Sequence, residues 1–381
     1  MRRRALLASQ GGGKAINNYL TIEPLQNKLT ASLSGSDCYY SIDGGEWTLL
    51  TKGDSTPSIN IGQLLRFKRD DSTNALGTFS ISKSFNLSGN CMSMLYGNKA
   101  ANYNSVGNGA FESLFKSCKV VSVASEFLPA TTLSYRCYYG MFMSCSSLVT
   151  APRLPATVLA EQCYYTMFSR CSKLTTAPEL PATTLANYCY ASMFYGCSGL
   201  EDAPELPATT LANRCYQSMF EGCSELRRAP KLPATTLVTG CYTTMFASCT
   251  NLQYIKAMFT TTPSTSYTGQ WVRYVSSTGT FVKNKNATWN VTGENGIPEG
   301  WTVKMDGQED SLINFTIDDV AYQAEKGMTW GEWVNSSFNT EGFTLGFTNE
   351  IMFGALSVGT NDNYVSDFDK IIENYNYLLI K

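Results

Sequence analysis

The stretch Leu180-Pro-Ala-Thr-Thr-Leu-Ala-Asn-Tyr-Cys-Tyr-Ala-Ser-Met-Phe-Tyr-Gly-Cys-Ser-Gly-Leu200 is one copy of a repeat that runs through the middle of the chain. Its opening hexapeptide, Leu-Pro-Ala-Thr-Thr-Leu, recurs every 26 residues with a single change, at Val158. The five hexapeptides begin at Leu128, Leu154, Leu180, Leu206 and Leu232. Self-similarity at a period of about 20 to 50 residues is typical of a solenoid, in which each repeat packs only against its neighbours. The sequence therefore predicts a solenoid that offers a binding or structural surface, and it contains no sign of an enzyme.

The local structure of one copy follows from its proline and from the spacing of its apolar residues. Pro181 excludes a helix interior and favours an extended conformation at Leu180. Leu185, Cys189 and Met193 then recur at i, i+4 and i+8, as they do on one face of a short helix. Each copy is therefore predicted to contain an extended segment, a turn, a helix and a return, which makes an α/β solenoid.

Composition excludes several classes of function. The 381 residues are 43% hydrophobic and 16% charged, as expected for a globular protein of two or three domains. A net charge of −2 gives no attraction to nucleic acid, and no apolar run approaches the ~20 residues of a membrane span. The chain has no histidine, so the commonest general base and metal ligand are missing. We therefore expect no enzymatic activity, no cofactor, no nucleic-acid binding and no membrane insertion.

The regions on either side of the repeats predict separate modules. Leu29, Ala31 and Leu33 alternate with polar residues, and the Asp43-Gly-Gly turn follows a strand-like run, so an antiparallel β-sandwich is expected. The predicted segments are a basic flexible arm (1–16), the β-sandwich (17–92), a linker (93–110), the repeats (111–255), a carboxyl-side cap of the solenoid (256–307) and a small α+β module (308–381).

The two ends of the chain carry weaker signals. The apolar part of the arm, residues 5–8, is shorter than the roughly 7 to 15 residues of a signal-peptide core. The arm is therefore interpreted either as a disordered tail or as a segment that orders on docking to a larger assembly. In the last module, residues 314–317 and 342–347 resemble strands, and residues 328–334 resemble a short helix.

Eleven of the 13 cysteines fall into two columns with the period of the repeat. One column holds Cys137, Cys163, Cys189, Cys215 and Cys241, and the other holds Cys118, Cys145, Cys171, Cys197, Cys223 and Cys249. Zinc ligands are usually spaced by about two to four residues, which these pairs are not, so no metal is expected. Disulfides between stacked copies are within reach, but the odd total and the small apolar side chain favour buried free thiols. Free thiols in turn predict folding in a reducing compartment.

Positions that vary from copy to copy are candidates for a partner surface. One such column is Arg153, Glu179, Glu205 and Lys231; a second includes Tyr139 and Tyr165; a third includes Glu201, Asp202, Arg227 and Arg228. Packing does not dictate the residue at these positions. Two interpretations stay open, a solvated face and a mixed-charge, tyrosine-bearing recognition surface.

The repeat core, Met193-Phe-Tyr-Gly-Cys-Ser-Gly-Leu200, resembles the Phe-x-x-Cys-x-x-Leu core of BspA-like leucine-rich repeats, although the proline-containing turn lengthens the repeat. Residues 40–47 resemble a sandwich module that precedes such repeats in gut Bacteroidales and their phages, and residues 296–301 resemble their usual cap. Parts of 315–333 resemble a module of phage tail-associated proteins. The resemblance implies a leucine-rich-repeat solenoid that serves surface adhesion and partner recognition, with no catalytic residues.

The leading hypothesis is a non-enzymatic protein of the virion surface, a tail fibre or head decoration, of a phage that infects gut Bacteroidales. It would be made in the reducing host cytoplasm and would contact other virion proteins through the amino-terminal arm or the sandwich. Its host partner would be a surface protein or a glycan, and a homo-oligomer is consistent with a fibre. The alternative is a bacterial cell-surface adhesin of the same repeat class, and a third reading is a glycan depolymerase.

Overall fold

The computed structural model describes residues 18–69 and 76–307, together with the backbone of four strands further along the chain. The chain divides into two compact units between Lys304 and Met305. The predicted basic arm, the helix predicted at 328–334 and the strand predicted at 342–347 lie outside the described residues.

The amino-terminal region is a mixed β-sheet. The strands of this region are β1 (Leu20–Pro24), β2 (Ala31–Leu33), β3 (Cys38–Ile42), β4 (Thr48–Leu50), β5 (Leu65–Lys68), β6 (Phe79–Ile81), β7 (Phe85–Ser88) and β8 (Val120–Val123). Six of them form one sheet in the order β4-β3-β5-β1-β7-β8, and β2 pairs separately with β6. Ile22 at the centre of β1 lies opposite Leu65 on one side and Leu87 on the other, and all three side chains are buried.

The predicted antiparallel sandwich is therefore wrong. The last pairing, between β7 and β8, is parallel, because β8 belongs to the first copy of the repeat region. This pairing extends the sheet beyond the predicted boundary at residue 92. The short helix α1 (Ser93–Tyr96) and the 3-10 helix Gly97–Asn102 lie in the segment predicted to be a linker.

The repeats are built from turns. The N–H of Tyr164 donates to the carbonyl of Cys189 in the next copy at 3.1 Å, whereas the N–H of Tyr165 donates to Gln162, three residues back, at 3.2 Å. The same alternation continues at Thr166, which again donates to the next copy. Half of the N–H groups in this run thus close turns within a copy. The other half bind successive copies together in a layered arrangement that we call the turn stack.

The predicted α/β leucine-rich-repeat solenoid is wrong, because residues 128–253, all of which the structure describes, contain no helix. In an α-helix every N–H binds the carbonyl four residues back, and φ is negative throughout. In the run of turns of each copy, every fourth residue has a positive φ, for example Gln162 (55°), Thr166 (53°) and Arg170 (61°). The spacing of four residues that suggested a helix fits this chain of turns equally well.

The core of the turn stack consists of columns of identical side chains. The rings of Tyr138, Tyr164, Tyr190, Tyr216 and Tyr242 lie parallel with centroids 5.8 to 6.0 Å apart. The rings of Phe115, Phe142, Phe168, Phe194, Phe220 and Phe246 form a second column with spacings of 5.7 to 5.8 Å. Because each ring contacts its counterparts above and below, a side chain of the same shape is required at the same place in every copy.

All 13 cysteines are buried and free, as predicted. In the second cysteine column the thiol reaches the neighbouring copy. Cys171 Sγ donates to the carbonyl oxygen of Phe142 at 3.2 Å, and Cys197 Sγ donates to Phe168 at 3.0 Å. Cys118 Sγ donates to the carbonyl of Phe79 in β6, which joins the turn stack to the amino-terminal region. These thiols therefore form hydrogen bonds between copies, which the spacing of the cysteine columns alone did not predict.

Beyond the last copy the chain forms β9 (Tyr254–Ala257), α2 (Thr265–Thr268), β10 (Thr280–Lys283) and β11 (Thr302–Met305). The three strands form a sheet in the order β11-β10-β9. The ring of Trp271 tilts across the end of the phenylalanine column, 6.1 Å from Phe246, and its Nε1 donates to the carbonyl of Gly296 at 2.8 Å. Trp271 therefore covers the last ring of the column.

The carboxyl-terminal unit contains the strands β12 (Leu312–Ile317), β13 (Val320–Glu325), β14 (Leu356–Val358) and β15 (Asn376–Leu379). They form a sheet in the order β13-β12-β15-β14, in which only β12 and β15 are parallel. Among the residues that the structure describes, no helix is long and apolar enough to cross a membrane.

Candidate functional site

The ten predicted surface residues lie at the surface, and the structure groups six of them into two sets. Tyr139 and Tyr165 are half-buried and stack on each other, and the four residues of the third column line one cleft. The remaining four are exposed. Arg153 lies 3.5 Å from Glu126 in a solvent-exposed ion pair, whereas Glu179, Glu205 and Lys231 form no ion pair within the described residues.

The first set is part of a longer arrangement, which we call the Arg–Tyr strip. Its members are Glu112, Arg136, Tyr139, Tyr165, Tyr188 and Arg214, contributed by four successive copies and the residues before them. Arg136 Nη2 donates to Glu112 Oε1 at 2.8 Å, and its guanidinium lies 4.1 Å from the centroid of the Tyr139 ring. Tyr139 and Tyr165 follow, stacked with centroids 4.9 Å apart.

The strip continues through Tyr188, whose ring centroid lies 6.3 Å from that of Tyr165 at an interplanar angle of 51°. The guanidinium of Arg214 lies 5.4 Å from the Tyr188 ring, and its Nη1 donates to the Tyr188 hydroxyl. The contact of Arg136 with Tyr139 lies within one copy, and the other contacts join one copy to the next. The six side chains therefore form a connected row along the turn stack.

The backbone explains why these side chains stand in a row. Arg136, Tyr188 and Arg214 occupy the same position of their copies, with φ between 54° and 56°. Each of these residues donates its N–H to the next copy, as Arg214 does to Thr239 at 2.9 Å. Since the backbone is tied layer to layer at this position, consecutive side chains are held one above another.

The strip can form hydrogen bonds to a ligand through the hydroxyl groups at the edges of its tyrosine rings. Each stacked ring covers a face of its neighbour, so the edges and hydroxyl groups of Tyr139 and Tyr165 remain for a ligand. Partial burial raises the pKa of Tyr139, and the neighbouring Tyr165 raises it further. The Tyr139 hydroxyl therefore stays neutral and can both donate and accept hydrogen bonds. The guanidinium of Arg214 adds an exposed cation.

The second set lines a cleft of about 460 Å³, which we call the charged cleft; its residues are Glu201, Asp202, Glu225, Arg227 and Arg228. Parallel bridges join Thr176 to Asp202 and Arg228 to Tyr254, and the 26-residue period places acidic Asp202 and basic Arg228 at the same position of successive copies. The guanidinium of Arg228 lies 3.9 Å from the centroid of the Tyr254 ring, and Asn251 Nδ2 donates to Glu225 Oε2 at 3.4 Å. No ion pair joins the acidic and basic side chains of the cleft, all of which lie in the described part of the chain.

No protein-family model, no curated protein and no solved structure matches the chain.

The described residues contain no candidate metal centre. Within residues 18–69 and 76–307, no three or more cysteine, aspartate or glutamate side chains cluster as metal ligands. Burial raises the pKa of the cysteine thiols, to about 12 for Cys189 and Cys197, so they remain protonated near neutral pH. Protonated thiols are poor nucleophiles and poor ligands.

Sequence reasoning missed four of the six members of the Arg–Tyr strip, namely Glu112, Arg136, Tyr188 and Arg214. Arg136, Tyr188 and Arg214 stand directly before the constant Cys-Tyr pair, in a column whose other members are Gln162 and Gly240. That variability was the available signal. A helix over this segment would not point these side chains in one common direction, whereas the turns align them along the stack.

Proposed function

We propose that this chain is a non-enzymatic attachment protein of a virion surface, which binds a polar ligand on the host surface through the Arg–Tyr strip. The observation that carries this proposal is the connected row from Glu112 to Arg214, built from positions that packing leaves free to vary.

The contrast between constant and variable columns supports recognition. The tyrosine and phenylalanine columns repeat one residue because their rings pack on each other in the core. The strip instead combines arginine, tyrosine and glutamate, and tyrosine and arginine, like tryptophan, are enriched among the residues that dominate binding energies. A row that extends over several copies suits an extended ligand such as a glycan chain or a segment of a surface protein.

The chemistry of the strip also narrows the ligand. Tyrosine hydroxyl groups and an exposed guanidinium match hydroxyl and carboxylate groups on a host surface. The virion assignment is supported by the resemblance of residues 315–333 to tail-associated modules and by 13 buried free thiols, which suit folding in a reducing cytoplasm.

The test is attachment of the purified full chain to a panel of gut Bacteroidales cells, measured by fluorescence with and without isolated surface polysaccharide as competitor. Tyr165→Ala and Arg214→Gln are each expected to weaken attachment about tenfold, because a central anchor in a recognition surface contributes about 1 to 2 kcal/mol. Matched controls are Tyr274→Ala, which removes an exposed tyrosine outside the strip, and Arg170→Gln, which removes an exposed arginine outside it.

Three results would overturn the proposal. The first is absence of attachment to every strain, and the second is equal loss of attachment in the strip variants and their controls. The third concerns location: antibody raised against the chain and coupled to gold is expected to label phage particles, and unlabelled particles would remove the virion assignment. Labelling of bacterial cell surfaces in uninfected cultures would favour the bacterial adhesin instead.

A further inference from the structure

We infer that the charged cleft is a subsite for a zwitterionic sugar unit, one that carries an anionic group and an ammonium group close together. This inference rests on the proposed function, because it names the chemistry of one part of the host-surface ligand. It is carried by the charged cleft alone and does not depend on the Arg–Tyr strip.

Four of the five charges of the cleft are separated by sign along the turn stack, whereas the fifth, Glu225, comes from the same copy as the two arginines. Glu201 and Asp202 come from one copy, and Arg227 and Arg228 occupy the equivalent positions of the next. No ion pair joins these acidic side chains to the basic ones, and all four are exposed and lie within residues that the structure describes. The cleft therefore offers an anionic side and a cationic side at once.

Two contacts hold the edges of the cleft in place. The guanidinium of Arg228 lies against the Tyr254 ring at 3.9 Å, and the carboxylate of Glu225 accepts a hydrogen bond from Asn251. A guanidinium fixed on an aromatic face loses little conformational freedom when it binds a carboxylate or phosphate. Arg227 also lines the cleft, which therefore contains two guanidiniums, groups that bind carboxylates and phosphates through paired hydrogen bonds.

The balance of charge selects against ligands of a single sign. Three carboxylates and two guanidiniums line the cleft, leaving one net negative charge. A purely anionic ligand that binds the arginines also approaches the carboxylates, and a purely cationic ligand meets the arginines. Only a ligand with both charges gains attraction on both sides, because complementary charges bring specificity through the repulsion of wrong partners. The volume of about 460 Å³ suits one or two sugar units.

Three tetrasaccharides separate these cases. De-N-acetylated hyaluronan alternates glucuronate carboxylates with glucosamine ammonium groups, hyaluronan retains only the carboxylates, and chitosan carries only the ammonium groups. Isothermal titration calorimetry with the full chain at low salt measures the dissociation constant of each tetrasaccharide. The zwitterionic tetrasaccharide is expected to bind at least tenfold more tightly than either of the others. Added salt is expected to weaken its binding, since the lining side chains are exposed and their fields are screened.

The variants Arg227→Gln and Glu201→Gln each remove one charge from the cleft, on its cationic and its anionic side. Each is expected to weaken binding of the zwitterionic tetrasaccharide at least fivefold. The controls, Lys231→Gln and Glu205→Gln, each remove a charge of the same sign at an exposed position outside the cleft. Both are expected to bind the zwitterionic tetrasaccharide as the wild type does.

Binding of hyaluronan or chitosan as tightly as the zwitterion overturns the inference, and so do cleft variants indistinguishable from their controls. If no tetrasaccharide binds while Arg214→Gln still loses cell attachment, the inference falls and the proposed function stands. If the zwitterion binds through the cleft but no cell attachment is found, the proposed function falls and the cleft remains a binding site.

Discussion

The ring of Tyr164 lies parallel to the ring of Tyr190 in the next copy, with centroids 5.8 Å apart and planes inclined by 10°. Both side chains are buried, yet the hydroxyl oxygen of Tyr164 has no hydrogen-bond partner within the described residues. The same is true of the hydroxyls of Tyr138, Tyr216 and Tyr242. The column therefore gains its ring contacts at the cost of several buried polar groups without partners.

Tyr164→Phe is expected to raise the free energy of unfolding by about 1 kcal/mol, because a buried hydroxyl without a partner costs roughly 1 to 3 kcal/mol. The phenylalanine keeps the ring stacking of the column. Urea denaturation followed by circular dichroism measures the change. Tyr165→Phe, at a half-buried tyrosine outside the core column, serves as the control and is expected to change stability little. A loss of stability in Tyr164→Phe would mean that the hydroxyl has a partner, such as an ordered water.

Gly222 tests the backbone of the turn stack. Its φ is 77°, and an added Cβ would meet the Cα and the backbone nitrogen of Gly196 at 3.5 and 3.7 Å, which are ordinary contact distances. Gly222→Ala is therefore expected to cost about 1 kcal/mol, from the left-handed backbone conformation alone. Thermal unfolding gives the measurement, and Gly107→Ala is the matched control, because there a Cβ enters open space without a positive φ. Equal melting temperatures for the two variants would contradict the left-handed turns.

The repeat and its register could be predicted from the sequence, but the local structure could not. Buried pairs such as Cys189-Tyr190 and Met193-Phe194 recur every four residues, and a helix of 3.6 residues per turn matches that spacing over so short a run. The choice between helix and turns depends on hydrogen bonds to the next copy, which are long-range contacts. The recurrence of glycine at left-handed positions, for example Gly196, was the one local sign of turns.

The candidate surfaces were likewise predictable only in part. The charged columns were predictable because a fixed period places Asp202 and Arg228 in neighbouring copies, and both line the charged cleft. The contacts of Arg136 with Tyr139 and of Arg214 with Tyr188 were not predictable. They depend on side-chain directions that a helix and a chain of turns set differently.

The thiols provide a third test of the packed turn stack. At about pH 8 the native protein is expected to react with essentially no thiol reagent, because burial keeps the thiols protonated and covered. All 13 thiols are expected to react once the chain is unfolded in guanidinium chloride. Cys241 is expected to be among the first to react as the pH rises, since burial raises its pKa only to about 11. Rapid labelling of most thiols in the native protein at pH 8 would contradict a close-packed core.

The same burial predicts how stability depends on alkaline pH. Burial raises the pKa of the Cys189 thiol from 9.0 to about 12. Below pH 9 the thiol is protonated in both the folded and the unfolded chain, so its contribution to stability is fully present. Between pH 9 and 12 the unfolded chain loses the proton while the folded chain retains it. Stability therefore falls with rising pH, by about 1.4 kcal/mol per pH unit for each such thiol.

Urea denaturation at a series of pH values from 8 to 11 is expected to give a constant free energy of unfolding near pH 8 and a steep decline above pH 9. Cys189→Ala removes one titrating thiol, so its decline is expected to be shallower by about 1.4 kcal/mol per pH unit, whatever the variant loses in stability at neutral pH. Comparing slopes separates titration from the cavity that the substitution creates. Parallel declines for the two proteins would mean that Cys189 ionises as readily in the folded chain as in the unfolded one, and its burial in the turn stack would be wrong.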